Sequence, residues 1–400
     1  MLAGCSSSSS TAKPSRGEIA TLLARHGSAV VGHKQSQFLD DLAPGRFRST
    51  QQAVFSNLAK VPLSHWSYSI GPTVDAADAQ SAARKKFGAS ALIVRVTLSY
   101  ALQGVDRTPT THDLWWTFIR RDGAVRVVND SDLAMSGGKS WQGPWDFGAL
   151  DVVRGAASIV LGHAGNHAVL VTAAATVDTA IPVVTSVWGP GWPRQVAVFV
   201  PSSPTELAAA LGPTSSITAP VGAIASSDGQ DAVSGAVRGQ RLVVEAEPFG
   251  RLSPVGQRIV LQHEITHIAD AAATTDASPR WLVEGFAEYV GNLRSGQTVK
   301  QAALELGRDV RAGKVPAGLP ADASFDTSGT AAQAYQSSWL ACRLIARQVG
   351  ANGLVRFYRQ VGASPDASDQ AAAAGVRSIL HVSPAQFLSQ FRSYVHEQLS

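Results

Sequence analysis

Two neighbouring segments with helical periodicity constrain this chain more than any other feature of its sequence. The first reads "LSPVGQRIVLQHEITHIADAAA" from residue 252, and the second reads "ASPRWLVEGFAEYVGN" from residue 277. A Ser-Pro pair stands at the head of each, and Ser is favoured as a helix N-cap while Pro is favoured at the first helical position. Apolar residues follow at helical spacing, so the sequence predicts two consecutive amphipathic helices.

The first of these predicted helices carries two histidines four residues apart, in "HEITH". Helical spacing places His263 and His267 on one face, one turn apart. Two imidazoles in that arrangement can reach one Zn²⁺ with bonds of about 2.0–2.1 Å. Glu264 lies beside His263 and can approach the open position of such an ion without ligating it, as a general base should. A third protein ligand is then required.

The second predicted helix offers acids for that purpose, because Glu284 and Glu288 also share a helix face. Their neighbours in the segment are mostly apolar: Trp281, Leu282, Val283, Phe286, Ala287 and Val290. Two acids on a buried face without a basic partner are costly unless a cation neutralises them. The alternative, that both acids face water, is disfavoured by these neighbours.

The combination of "HEITH" with "WLVEGFAEY" resembles the gluzincin zinc metallopeptidases, and among them the peptidase-MA-like group. The resemblance implies that His263, His267 and Glu284 are zinc ligands and that Glu264 is the general base. It also implies that Glu288 accepts a hydrogen bond from the free N–H of His263. Such a contact fixes the tautomer of a ligating histidine and raises its basicity.

Tyr335 stands near the start of a further predicted helix, in "AAQAYQSSWLACRLIARQ". In related gluzincins a tyrosine at this position donates a hydrogen bond to the oxyanion, and a neutral phenol suits that role. An ordinary amphipathic tyrosine on a helix is the alternative. A strand just before the first helix binds the substrate backbone in such enzymes, and residues 220–226, "PVGAIAS", are the candidate here.

The implied activity is hydrolysis of peptide bonds in a peptide or protein substrate, with zinc-activated water as the nucleophile. The sequence has no "GAMEN" segment for gripping a free α-amine, which favours an endopeptidase. Two alternatives stay open. The chain could be a binding module with a vestigial zinc domain, or a zinc hydrolase of a non-protein envelope substrate such as a cell-wall cross-link.

The rest of the chain predicts an α+β protein with two domains. Residues 17–133 combine predicted helices at 17–42 and 48–59, a strand at 91–102 and a hairpin joined at Asp122-Gly123. This order resembles the cone-shaped nuclear-transport-factor-2-like fold. Residues 134–150, rich in Gly, Trp and Ser, are the predicted linker. Residues 151–400 are the predicted zinc domain, a small mixed sheet followed by a mainly helical half.

The N-terminus reads "MLAGCSSSSSTAKPSRG", and "LAGC" resembles the lipobox of bacterial lipoproteins. The resemblance implies that Cys5 is lipidated and that residues 1–16 form the box and a flexible tether. The protein would then be extracytoplasmic and anchored to the cell membrane. The charged and apolar regions that precede such a box are missing, so either the true start codon lies upstream of Met1 or the match is coincidental.

Composition adds two exclusions. No uninterrupted run of about 18 apolar residues predicts a membrane-spanning helix. The net charge of +4 comes from basic residues spread along the chain, so nucleic acid is not an expected partner. The oligomeric state is not indicated by any pattern in the sequence.

Overall fold

The computed structural model describes residues 12–212, 222–230 and 235–400. It confirms the predicted α+β class, with an antiparallel sheet near the N-terminus and a mostly helical C-terminal half. Cys5 lies outside the described residues, as do most of the predicted tether and the first two residues of the strand predicted at 220–226.

The described residues form two compact units. The first contains the chain up to Val152 together with Leu161–His167 and the segment that begins at Phe199. The second contains Val153–Val160, Ala168–Val198 and the described chain from residue 222 onward. The domain boundaries drawn from the sequence, 17–133, 134–150 and 151–400, stay predictions.

The first unit is built from helices on a four-stranded antiparallel sheet of order β1-β2-β3-β4. Its elements in chain order are α1 Arg16–Val31, α2 Gln35–Asp40, α3 Arg46–Leu58, β1 Leu63–Thr73, α4 Ala77–Phe87, β2 Leu92–Leu102, β3 Thr110–Arg121 and β4 Ala124–Asn129. Strand β1 and helix α4 were not predicted. The single helix predicted at 17–42 is wrong, because the chain turns between α1 and α2 at His33, whose φ is 52°.

The predicted hairpin is confirmed. Asp122 and Gly123 have φ values of 51° and 76°. Positive φ at both positions is what a two-residue type I′ turn between twisted antiparallel strands requires. The alternation predicted in β2 is also confirmed, since Val94, Val96 and Leu98 are each at most 2% exposed.

The segment predicted as a linker is held in place by side chains of the first unit. Trp145 is 2% exposed, and its ring lies 5.4 Å from that of Trp66 and 5.3 Å from that of Tyr100. The Asn57 side chain donates to the carbonyl of Trp145 (2.9 Å) and accepts from the amide of Leu150 (2.9 Å). The Gly, Trp and Ser content of the segment predicted that helical and strand periodicity would end here. It did not predict that Trp145 would be buried against Trp66 and Tyr100.

The remaining strands form a second sheet, and most of the remaining helices belong to the second unit. The strands are β5 Leu150–Arg154, β6 Ser158–His163, β7 Val196–Phe199, β8 Ala223–Ser226 and β9 Arg241–Val244, in the order β5-β6-β7-β9-β8. The helices are α5 His167–Trp188, α6 Pro204–Leu211, α7 Ala246–Arg251, α8 Pro254–Asp270, α9 Arg280–Gly291, α10 Val299–Ala302, α11 Leu304–Arg311, α12 Ala331–Gly362, α13 Ser368–Ile379 and α14 Pro384–Leu399. Helix α12 kinks at Gly350.

Helix α5, with the turn before it, has the length and composition of a membrane span, which the sequence analysis did not predict. Its mean hydropathy reaches 1.7 over 18 residues, and 44% of that window is buried. One face of α5 is fully buried, at Leu170, Ala173, Val177, Ala180 and Val184. A core helix of a soluble protein passes the same test, so the feature is weak evidence for a membrane.

Close packing of α9 against two neighbouring helices depends on glycine. A Cβ atom at Gly285 would lie 2.4 Å from the carbonyl oxygen of Ser338 and 3.0 Å from the sulfur of Cys342, both on α12. A Cβ atom at Gly291 would lie 3.1 Å from the carbonyl oxygen of Ile259 on α8. Real Cβ atoms essentially never come as close as the first of these contacts, so α9 and α12 must separate if Gly285 gains a side chain.

We expect Gly285→Ala to lower the free energy of unfolding by about 1–3 kcal/mol, because overpacking displaces α12. The matched control is Gly256→Ala on α8, whose Cβ would meet neighbours no closer than 3.4 Å. That control should be neutral or stabilising by up to about 1 kcal/mol, since Ala favours helix. Denaturant unfolding measures both, and equal stability of the two variants would contradict the packing argument.

Candidate metal centre

The histidine-bearing helix α8 begins as predicted. The Ser253 side chain accepts a hydrogen bond from the amide of Gly256 (3.1 Å), and Pro254 is the first helical residue. His263 and His267 lie in the middle and last turns of α8, and their ring centroids are 4.7 Å apart. The capped helix therefore holds both imidazoles on one face, as their spacing of four residues requires.

Glu284 on α9 completes a group of three ligand atoms with the two histidines. The Nε2 atoms of His263 and His267 are 3.0 Å apart, and they lie 3.4 and 3.5 Å from the Glu284 Oε2 atom. A tetrahedral zinc with bonds of 2.0–2.1 Å holds its ligand atoms about 3.3–3.4 Å apart. The donor set and its spacing therefore fit a zinc ion, and this is the candidate metal group found among the described residues.

The electrostatics of the group are those of a site arranged around positive charge. Burial lowers the pKa of both histidines. For His267, the hydrogen bond to Glu284 outweighs burial and raises the pKa. For His263, hydrogen bonds to Glu284 and Glu288 outweigh burial and raise the pKa well above its usual value. Burial raises the pKa of Glu284, yet hydrogen bonds from the two histidines bring it well below its usual range. Protonated histidines therefore neutralise Glu284, and a cation that binds at this point would take the place of their protons.

Glu288 lies beside the first of the two histidines. Its Oε1 atom is 3.4 Å from Nδ1 of His263, while its Oε2 atom accepts a hydrogen bond of 2.9 Å from the side chain of Asn292. Asn292 therefore orients Glu288, and Glu288 faces the ring nitrogen that points away from the ligand group. This arrangement leaves Nε2 of His263 for the ion.

Glu264 lies next to the ligand group without belonging to it. Its Oε1 atom is 4.0 Å from Nε2 of His263, and its Oε2 atom accepts a hydrogen bond of 2.7 Å from the backbone amide of Ala225 in β8. Among the described strands, β8 forms the edge of its sheet and pairs only with β9. The carboxylate is thereby held between the metal group and the edge strand of this sheet.

Tyr335 lies in the first turn of α12, with its ring centroid 6.4 Å from that of His263 and 5.2 Å from that of Phe325. Burial, with a further contribution from the charge of Glu284, raises the pKa of Tyr335 to about 12, while Arg280 acts in the opposite direction. The phenol is therefore protonated at pH 7 and can donate a hydrogen bond near the metal group.

Sequence reasoning misplaced or missed two residues of this region. Its place at the end of the first predicted helix, three residues past His267, predicts that Asp270 faces water, yet Asp270 is 1% exposed, and burial raises its pKa to about 7. The Thr274 hydroxyl, which lies beyond the end of α8, donates a hydrogen bond of 3.4 Å to Oδ1 of Asp270. Arg280 was not singled out, although it stands four residues before Glu284 on the same helix face, a spacing that was visible in the sequence.

We expect Glu288→Gln to weaken zinc binding about 10–100-fold, because the amide keeps the size of the side chain but loses the charge that faces His263. Competition with a chromophoric chelator measures this affinity. Glu397→Gln is the control, since Glu397 is 61% exposed and pairs with Arg347 in another part of the second unit. Unchanged affinity in Glu288→Gln would show that this acid does not support the ligand.

Comparison with known proteins adds little detail. No protein-family profile matches the chain, and no curated protein matches its sequence. One similar solved structure is a variant of a two-domain M1 zinc metallopeptidase bound to L-arginine, with 14% sequence identity and a TM-score of 0.32. The match covers 62% of this chain and 51% of that chain, so it spans about half the length of the metallopeptidase.

Proposed function

We propose that this protein is a zinc-dependent hydrolase of peptide bonds, with Glu264 as its general base. The observation that carries the proposal is the convergence of His263, His267 and Glu284 at the atom spacing of a tetrahedral zinc site, with an unligated carboxylate 4.0 Å from the group. Three protein ligands leave one position open, which is the arrangement of catalytic rather than structural zinc.

When bound, zinc would supply a Lewis acid that polarises a carbonyl and lowers the pKa of water. Glu264 would accept the proton that the attacking water loses and then deliver it to the nitrogen of the leaving amine. The amide of Ala225 restricts where the Glu264 carboxylate points, so the base is oriented before the substrate arrives. Tyr335 would donate a hydrogen bond from its hydroxyl to the carbonyl oxygen on which negative charge develops.

The edge strand β8 supports a peptide as the substrate. In antiparallel strands the backbone groups of alternate residues point to opposite sides, so Ala223 and Ala225 direct theirs away from β9. An extended peptide could pair with this edge as a further strand and pass beside Glu264. A peptide lying along an open edge continues in both directions from the scissile bond, which favours an endopeptidase.

Glu264→Gln should lower hydrolysis of a peptide library by at least about 10²–10⁴-fold, since the amide cannot accept the proton. Mass spectrometry of the products, with wild type and variant prepared identically, measures the loss. The glutamine oxygen can still accept the Ala225 amide, so zinc content and thermal stability should stay unchanged. Equal products from both proteins, or none from zinc-loaded wild type, would contradict a peptidase and favour a binding module or a non-peptide hydrolase.

Tyr335→Phe should lower kcat about 10²–10³-fold with little change in KM, because the lost hydrogen bond acts in the transition state. Steady-state kinetics on one peptide cleaved by the wild type separates the two parameters. An equal kcat in wild type and variant would show that Tyr335 is an ordinary packing residue beside Phe325.

We also propose that a lipid on Cys5 anchors the protein outside the cytoplasm. The support is the "LAGC" segment followed by serines, and it comes from sequence alone. Expressed behind a lipoprotein signal peptide, the wild type should enter the membrane fraction, whereas Cys5→Ser should not be retained there. Equal partition of both proteins would remove the proposal without affecting the metal centre.

A further inference from the structure

Arg280 places a permanent positive charge beside the candidate metal group. It is the first residue of α9, and its Nε atom lies 3.9 Å from Oε1 of Glu284, one helical turn further on. Glu284 thus presents Oε2 to the two histidines and Oε1 to Arg280. The Arg280 side chain is 31% exposed, so its guanidinium is partly screened from water yet still accessible.

The guanidinium is held in a defined position on its other sides. Its Nη1 atom donates to Oδ1 of Asp326 at 2.8 Å and to the carbonyl of Asp322 at 3.4 Å. Its Cζ atom lies 4.9 Å from the centre of the Phe325 ring. Phe325 also packs edge-on against Tyr335, so the arginine and the phenol share one aromatic support.

Asp326 demonstrates that a carboxylate can bind this guanidinium. The Asp326 side chain is 69% exposed, and an ion pair that open to solvent contributes little to stability. A guanidinium has five N–H donors. The Asp322 and Asp326 contacts both use Nη1, Nε faces Glu284, and the Tyr335 hydroxyl also interacts with the guanidinium. A second carboxylate could therefore bind beside Asp326 or replace it.

We propose that Arg280 is a specificity-determining residue that binds a substrate carboxylate close to the scissile bond. The proposal rests on the peptidase function proposed above and deepens it by naming the substrate class. The carboxylate has two possible sources, an acidic side chain within the peptide or the free C-terminus of the peptide. The same contact would serve either one.

Distances support this assignment. A carboxylate ligand lies about 2 Å from its zinc, which places the guanidinium within about 8 Å of the ion. In an extended peptide, a group one or two residues from the scissile bond lies about 3.5–7 Å along the chain from it. A carboxylate at either position can reach Arg280 while the scissile carbonyl is at the metal group.

Paired peptides test the proposal. The two peptides of a pair share the same cleaved bond and differ at one position, where one has Glu and the other has Gln. That position is one or two residues from the cleaved bond, on either side of it. A second set carries a free or an amidated C-terminus one or two residues beyond the bond. Wild type should prefer the carboxylate member at one position, and Arg280→Gln should reduce that preference about 10–100-fold, because it lowers kcat/KM more for that member than for its neutral partner. The position and the set that respond identify the source.

Asp326→Asn gives the opposite test. Removing the competing carboxylate should raise kcat/KM for the preferred acidic peptide several-fold and leave its neutral partner unchanged. A merely structural Arg280, joining α9 to the 322–326 segment, predicts no gain in this variant. Arg280→Lys should retain part of the preference, because it keeps the charge without the planar fork.

Arg347→Gln is the matched control. Arg347 pairs with an acid, Glu397 (3.7 Å), and lies over an aromatic ring, Tyr394 (5.7 Å), as Arg280 does, but neither partner belongs to the metal group. The preference of Arg347→Gln for the carboxylate member of each pair should equal that of the wild type. Loss of activity in Arg280→Gln that is equal for acidic and neutral members would overturn the proposal.

A binding measurement tests the contact between Arg280 and a carboxylate without cleavage of the peptide. Calorimetry would compare the binding of an N-acetylated alanine dipeptide to Glu264→Gln as the free acid and as the amide. If the C-terminus is the source of the carboxylate, the acid should bind more tightly. Adding Arg280→Gln to Glu264→Gln should remove that difference. Cleavage by wild type that ignores every Glu/Gln and acid/amide pair would overturn this inference alone. No cleavage of any peptide by zinc-loaded wild type would overturn the proposed function, and this inference with it.

Discussion

An excess of negative charge around one imidazole is the constraint on which the candidate centre depends. Three carboxylates, those of Glu264, Glu284 and Glu288, come within 4.0 Å of the ring nitrogens of His263. His263 is 8% exposed, so water can screen this charge only weakly. Grouping acids at such a place is unfavourable without a cation. The geometry of the nearest donor atoms is the one that zinc requires.

Helix packing brings these charges together. Helix α9 lies against α8 on one side and α12 on the other, and glycine at 285 and 291 permits the close approach on each side. The candidate ligand Glu284 and the proposed oxyanion donor Tyr335 are therefore positioned by one packing arrangement. Chemistry and stability are coupled here, because any change that separates α9 from α12 also moves the tyrosine away from the metal group.

The centre has two features that adapt it to a substrate. On one side, the amide of Ala225 ties Glu264 to β8, the edge strand of its sheet. On the other, Arg280 adds one positive charge beside the ligand Glu284. The strand edge is indifferent to side-chain identity, since it would pair with any extended backbone. For the proposed peptidase, selection among peptides would then come from side-chain contacts, and Arg280 would supply a charged one.

Sequence alone determined the local features of this protein. Spacing placed His263 and His267 on one helix face, Ser253 and Pro254 marked the start of that helix, and Asp122-Gly123 marked a hairpin, because each depends on residues close together in the chain. Tertiary structure decided the rest. The burial of Asp270 and of Trp145, the contact of Glu264 with β8, and the pairing of Arg280 with Asp326 all join distant residues or depend on packing, which periodicity does not encode. The three candidate metal ligands could be named from the sequence because two consecutive helices carry them all, whereas the ion pair between Arg280 and Asp326 became visible only in the fold.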